Sequence, residues 1–293
     1  MIDLLKANKN QTRTSELMRM GFIQINRILY RSTERGLARR KDISHIVHIS
    51  LDEKSFKKGH EYVTILSSAE TGSVLNVSRD RNKESAKSVI TQTFGKEQLQ
   101  KIETITTDMW EAYINVAQEE VPQARLCHDK FHLVKYLNEA VDQVRRKEVK
   151  NQEELKKTKY IWLKDRSNLT EKQRIKFEAI NNTNYETARA WRIKENFRDI
   201  SFSQPLAEAF ILYMRWSIDA KKCQLSPVVK VAEMFDRHKI GIINAMNLSK
   251  NNSMAERLNG KIQEIKLCGR GYRTFENFKA AILFYHGKLD LYP

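Results

Sequence analysis

Three acidic residues have the type and setting for chemistry. Asp52 closes the alternating run Ile46-Val47-His48-Ile49-Ser50-Leu51, and Asp108 closes Ile102-Glu103-Thr104-Ile105-Thr106-Thr107. Glu256 lies within Asn251-Asn252-Ser253-Met254-Ala255-Glu256-Arg257-Leu258-Asn259-Gly260, where a helical pattern begins. Two strands that each end in Asp and a helix that carries Glu describe a three-carboxylate site for divalent metal. Mg²⁺, or Mn²⁺ in its place, takes hard oxygen ligands. Two such ions about 3.5–4 Å apart activate an attacking oxygen and hold the leaving oxygen of a phosphodiester. One carboxylate is expected to bridge the ions, and without metal the three charges repel one another. Taken singly, each acid has a plainer role: Asp at a strand end often caps a turn or helix, and Asp108 can cap a helix beginning near Trp110. Glu256 can be a solvated helix residue.

The chain around these acids is strongly basic. Its 52 Lys and Arg against 36 Asp and Glu leave a net charge of +16 over 293 residues. An excess of this size favours a polyanion through counterion release, a solubilising surface being the alternative. Hydrophobic residues at 41% suffice for a core. The longest apolar runs fall well short of the roughly 20 residues a membrane helix needs, so no membrane is expected. The first twenty residues lack the apolar core of a signal peptide. Cys127, Cys223 and Cys268 offer no disulfide framework and fit a reducing, bacterial cytoplasm.

The elements that must position the acids follow from periodicity. Residues 1–41 read as helical and basic: a short helix capped by Thr14-Ser15 and running through Met20, an ending at Gly21, then a second helix from Ile23 to Gly36. Arg27, Arg31 and Arg35 lie off its apolar stripe, the outline of a helix-turn-helix DNA reader or of a plain basic hairpin. A strand through Asp52, a hairpin of 61–67 and 73–78 around Glu70-Thr71-Gly72, a helix over 82–94, a strand into Asp108, a helix from Trp110 to Gln118 and a strand over 124–128 follow. The order β-β-β-α-β-α-β is that of a ribonuclease H-like mixed five-stranded sheet. Right-handed crossovers then make the first and fourth strands neighbours, with Asp52 and Asp108 near their carboxyl ends.

From about Lys130 to Lys250 the pattern is helical. Trp162, Leu163, Phe177, Ile180, Tyr185, Ala188, Trp191, Phe197, Phe210, Ile211, Tyr213, Met214 and Trp216 supply core-sized groups. The helix from Ser253 places Leu258, Ile262 and Ile265 on one stripe, and a last helix spans Phe275 to Leu289. The fold class expected is α/β, with a large all-helical insertion and an N-terminal helix-turn-helix-like segment. Its divisions are a DNA-binding segment 1–41, the first part of the catalytic core 42–135, the helical insertion 136–250, and the core's C-terminal helices 251–293.

The blocks LDEKSFKKGHEYVTIL, TTDMWEAY, ARLCHDKFHLVKYLNEAVDQVRR and NNSMAERLNGKIQEIKLCGRGYRTFENFKAAIL, in this order from about Ile46 to the C-terminus, resemble the catalytic blocks of the ISL3 insertion-sequence transposases. The resemblance implies that Asp52, Asp108 and Glu256 are the family's acidic triad, set in a ribonuclease H-like fold with a helical insertion before the Glu. It implies metal-dependent cleavage and joining of double-stranded DNA at transposon ends and target, and association with the nucleoid. Asp129-Lys130-Phe131-His132 resembles an acidic-x-x-His element of related transposases, so His132 is expected to contact the scissile phosphate or to order the site. A packed, hydrogen-bonded His is the alternative, and zinc at Cys127, His128 and His132 is a lesser one for want of well-spaced ligands. Family members usually begin with a cysteine-rich zinc-binding segment, whereas no cysteine precedes Cys127 here; a shortened copy is the expectation.

The DNA contacts expected are Arg27, Arg31, Arg35, Lys57, Lys58, His132, Arg257, Lys261, Arg270 and Arg273, through phosphates that fix register without reading sequence. Lys54, His60 and Lys266 are near in sequence. Trp110, Tyr113 and Tyr272 can stack on a distorted base or pack in the core. A homodimer or higher assembly on DNA is expected. The alternatives are an inactive transposase that only binds DNA, and a ribonuclease H or junction nuclease on the same scaffold.

Overall fold

The computed structural model describes residues 1–40, 42–57, 61–181, 184–200, 204–248, 252–269 and 271–293, with the backbone alone for 252–257 and 259. In chain order the elements are α1 (Ile2–Asn8), α2 (Gln11–Met18), α3 (Phe22–Arg39), β1 (His48–Lys57), β2 (Glu61–Ser68), β3 (Val74–Arg79), α4 (Lys83–Thr91), α5 (Lys96–Leu99), β4 (Thr104–Thr107), α6 (Glu111–Glu120) and β5 (Arg125–His128). Then come α7 (Lys130–Glu148), α8 (Lys159–Leu163), α9 (Glu171–Asn181), α10 (Glu186–Asp199), α11 (Leu206–Lys222), α12 (Ser226–Arg237), α13 (Lys239–Leu248), α14 (Asn252–Cys268) and α15 (Phe275–His286). The chain forms two compact units, one of residues 1–126 with 251–293 and one of residues 127–250. Among the described residues no helix is long and apolar enough to cross a membrane.

The first unit is built on a mixed sheet of order β3-β2-β1-β4-β5, the ribonuclease H-like order expected from the sequence, and its boundary falls within β5. β1 pairs antiparallel with β2 and parallel with β4. Alternation along the strands assigns two faces. Ile49, Leu51, Leu66, Leu75 and Ile105 pack with Ala86, Val89 and Ile90 of α4 and with Tyr113 and Val116 of α6. Phe56, Val63, Ile65, Val74 and Val77 pack on the opposite side with Leu258, Ile262 and Ile265 of α14 and Phe278, Ala281 and Ile282 of α15. Each buried aliphatic side chain stabilises the unit by roughly 1.5–3 kcal/mol.

The N-terminal helices differ from the sequence expectation in their caps. α2 starts at Gln11 because the Asn10 side chain accepts the Arg13 N–H, which removes Thr14-Ser15 as the cap. It ends at Arg19, in the left-handed region at φ 50°, and Gly21 is the extended N-cap of α3 rather than the stop. The Gln24 side chain accepts the Gly21 N–H at 3.0 Å and holds the start of α3. Ile25 and Leu29 then join Leu5, Ala280 and Phe284 in a third cluster.

The second unit has helices α7–α13 around aromatic packing. Phe177 and Trp191 lie 4.8 Å apart, and Phe197 and Trp216 likewise 4.8 Å. Lys194 is fully buried, its Nζ donating to the Trp162 carbonyl at 2.6 Å and pairing with Glu195 at 2.9 Å. Asp129 caps α7 by accepting the Phe131 N–H at 2.9 Å. Phe210 and Ile211, expected in the core, stand on the outer side of α11, each 49% exposed. That helix is apolar beyond the stripe occupied by its buried Ala209, Tyr213 and Trp216, so composition alone overstated its buried side.

Candidate active site

β1 runs five residues past Asp52, so this acid lies within the strand rather than at its end. Pairing with β2 continues to Lys57↔Glu61 and carries the strand on, although Glu53-Lys54-Ser55 is polar. On the other edge the β1–β4 ladder pairs His48↔Thr104, Ile49↔Ile105 and Ser50↔Thr106. Asp52, within β1, and Asp108, just past the end of β4, each stand two residues beyond the last pair of this ladder, Ser50↔Thr106. Neighbouring strands lie about 4.8 Å apart, so the ladder leads both chains toward the same end of the sheet. Asp52 pairs with Ile65, whose side chain belongs to the α14–α15 face. Asp52 therefore shares that face.

Local hydrogen bonds orient both carboxylates. Asp52 Oδ1 accepts the Glu53 N–H at 2.7 Å, and Asp108 Oδ1 accepts the Trp110 N–H at 3.1 Å. Asp108 thus also plays the turn role read from the sequence, two residues ahead of Trp110, the N-cap of α6. The Lys54 ammonium lies 3.6 Å from Asp52 Oδ2. Burial pushes the Tyr113 phenol above its ordinary value, and the charges of Glu53, Asp108 and Asp52 add to the rise. Tyr113 is fully buried with its hydroxyl 2.8 Å from Thr64 Oγ1, so it packs and does not stack on a base. Trp110 is 44% exposed, but its ring already carries the Arg81 guanidinium at 5.3 Å.

The backbone of α14 carries Glu256 six residues before Ile262, which packs on the face that Asp52 occupies. The Glu256 side chain lies outside the described residues. Among the described residues no three His, Cys, Asp or Glu side chains gather as a metal site. Asp52 and Asp108 nonetheless fit a hard divalent cation: both offer carboxylate oxygens beyond the same end of the β1–β4 ladder, and Asp52 already attracts a cationic side chain.

Residues 49–282 match the ISL3 family, described as transposase. The chain belongs to the ISL3 family of transposases. It is 27% identical over 83% of its length to the transposase for insertion sequence element IS1001 of Bordetella parapertussis, covering 62% of that protein. It is 24% identical over 90% of its length to the transposase for insertion sequence element IS1557 of Mycobacterium tuberculosis, covering 66% of that protein. The chain thus spans just under two thirds of the length of these relatives. No solved structure matches it.

The cations expected to touch DNA in this ISL3-family chain have different settings. Arg27 and Arg31 are exposed on α3, Lys261 on α14, and Arg273 beyond it. Arg35 turns inward and donates to the Leu291 carbonyl at 2.8 Å, so it braces the C-terminal tail instead. Lys57 lies over the Phe56 ring at 4.8 Å. His132, half-buried in the first turn of α7, meets the Phe131 ring edge-on at 5.6 Å and belongs to the second unit. Lys58, His60 and Arg270 lie outside the described residues, as does the side chain of Arg257. Tyr272 packs on Phe278 at 5.2 Å, and burial pushes its phenol up to about 12. Lys266 donates to the Ser55 carbonyl at 2.7 Å and ties α14 to β1. Sequence reasoning passed over Arg81, which joins Glu53 at 2.9 Å to the rings of Tyr62 and Trp110 beside the site. Its nearest signal was its position at the end of the hairpin.

Proposed function

We propose that this chain is the catalytic portion of an insertion-sequence transposase that cleaves DNA strands and transfers them through Asp52, Asp108 and Glu256. The observation that carries the reading is that Asp52 and Asp108 each follow by two residues the last pair, Ser50↔Thr106, of two adjacent parallel strands. The helix bearing Glu256 packs against the same face of the sheet as Asp52, which supports the third member. With Mg²⁺ or Mn²⁺ bound, most simply as a pair, the site gains an activated attacking oxygen and a stabilised leaving oxygen.

The chain's own part is to hold and orient. The N–H groups of Glu53 and Trp110 each fix one carboxylate oxygen, which limits rotation before DNA arrives. Exposed Arg27, Arg31, Lys261 and Arg273 meet the phosphates and set the register of the duplex. The substrate is double-stranded DNA at element ends and target, with paired copies of the chain acting together.

The test is nicking of supercoiled plasmid by the purified chain with Mg²⁺ or Mn²⁺, beside binding of a labelled duplex in EDTA. Asp52→Asn, Asp108→Asn and Glu256→Gln should each stop nicking and keep binding. Nicking by Asp52→Asn at the parental rate overturns the assignment. Binding without nicking in the parent leaves a protein that only binds DNA.

A further inference from the structure

The first unit holds an open cleft of about 760 Å³ formed by the start of α2, the far end of β1 and the turn after α14. Its described lining contains two cations, Lys57 and Arg273, and no acid. The rest is neutral, including the side chains of Thr12, Asn277 and Phe22. The groove along α7 in the second unit makes the contrast: there Lys135, Arg146 and Lys159 are offset by Glu139 and Asp142. A lining with positive charge, neutral donors and no carboxylate is suited to an anion.

Its groups are available to one. The Lys57 ammonium has a long contact of 3.9 Å with Glu61, both side chains being more than 40% exposed, and a phosphate can displace such a screened pair. Arg273 is exposed. Asn277 Oδ1 accepts from Tyr30 at 2.9 Å and from Asn26 at 3.3 Å, which leaves its amide N–H groups to donate elsewhere. Phe22, 46% exposed, gives the cleft an apolar wall for a sugar.

β1 serves as a ruler between cleft and acids. Lys57 lies five residues beyond Asp52 on one strand, about 16 Å at roughly 3.3 Å per residue. A duplex presents one phosphate per strand every ~3.4 Å along its axis. Resting on the reading above, we propose that this cleft clamps the sugar–phosphate backbone of the duplex within about five base pairs of the cut, without reading sequence.

The experiment is binding of the full chain to a labelled duplex in EDTA, by fluorescence anisotropy across a salt series. Lys57→Ala with Arg273→Ala should weaken binding on unrelated sequences alike and reduce the slope of log affinity against log salt by about 2, close to one per phosphate lost. Arg273→Ala alone, at an exposed position, should reduce it by about 1 and keeps the test decisive if the double variant folds poorly. Lys96→Ala with Lys172→Ala removes the same charge elsewhere and should leave the slope unchanged. A cleft variant that keeps the parental slope, or changes no more than this control, overturns the clamp. Because binding is read without metal, a parent that never nicks would sink the catalytic assignment and not the clamp. A cleft variant that binds and nicks normally would sink the clamp alone.

Discussion

Asp52 and Asp108 each stand two positions beyond Ser50↔Thr106, the last pair of the parallel β1–β4 ladder. The relationship follows from a crossover that places the first and fourth strands side by side. Two carboxylates brought together in this way repel each other unless a cation lies between or beside them. Lys54 provides part of that charge, 3.6 Å from Asp52 Oδ2.

Lys54 should therefore compete with a metal ion for Asp52. Lys54→Met keeps the apolar stem and removes the ammonium. Partly exposed pairs of this kind are worth about 0.2–1 kcal/mol, so Mn²⁺ should bind about 1.4- to five-fold more tightly to the variant. Calorimetric titration without DNA measures this. Equal or weaker Mn²⁺ binding would show that the ammonium does not compete.

The sheet was legible because its strands alternate cleanly and its turns carry Gly72 and polar residues. The stripe Leu258, Ile262 and Ile265 was legible for the same reason, and all three are buried. The extent of β1 was not: Glu53-Lys54-Ser55 has no apolar alternation, and only pairing with β2 keeps it extended. The cap of α2 was missed because Thr14 and Ser15 share the chemistry of Asn10, and local sequence does not choose among such caps. Arg35 resembled its neighbours Arg27 and Arg31, and only the return of the C-terminal tail to α3 gave it a backbone partner. In the site, the neighbouring of the strands that lead to Asp52 and Asp108 followed from topology, whereas Arg81 became visible only through its contacts with Glu53, Tyr62 and Trp110.

His286 should make the first unit sensitive to mild acid. Burial, with the nearby Lys261 and Lys9 charges, pushes its imidazole down to about 4 from the ordinary 6.5. As pH falls through this window the unfolded chain takes up the proton first. Stability is therefore full above about 6.5 and is lost progressively towards 4. The loss between pH 7 and 5 should be about 1–2 kcal/mol, and His286→Gln, always neutral, should flatten it. Urea midpoints of parent and variant at the two pH values decide the matter, and parallel losses would remove His286 as the cause.

Arg35 and Arg31 should separate stability from DNA binding. Arg35→Ala removes the hydrogen bond to the Leu291 carbonyl and should cost about 1–3 kcal/mol while leaving the salt dependence of duplex binding unchanged. Arg31→Ala, at an exposed position, should lower the salt slope by about 1 with the melting temperature intact. Melting curves and anisotropy on both variants read the two effects, and interchanged results would reverse the roles.

Ile262 links stability to catalysis. It is 1% exposed and lies six residues beyond Glu256 on α14, about 9 Å at 1.5 Å per residue. Ile262→Ala should open a cavity between α14 and the sheet and cost about 2–4 kcal/mol, against about 0.5–1.5 for Ile262→Val. If packing of α14 holds Glu256 beside Asp52 and Asp108, nicking by folded Ile262→Ala should fall well below that of Ile262→Val while duplex binding in EDTA persists. Measuring nicking at a temperature where both variants are folded separates the helix's position from the loss of folded protein. Full nicking by folded Ile262→Ala would mean that Glu256 reaches the site without this contact, or that the third carboxylate lies elsewhere.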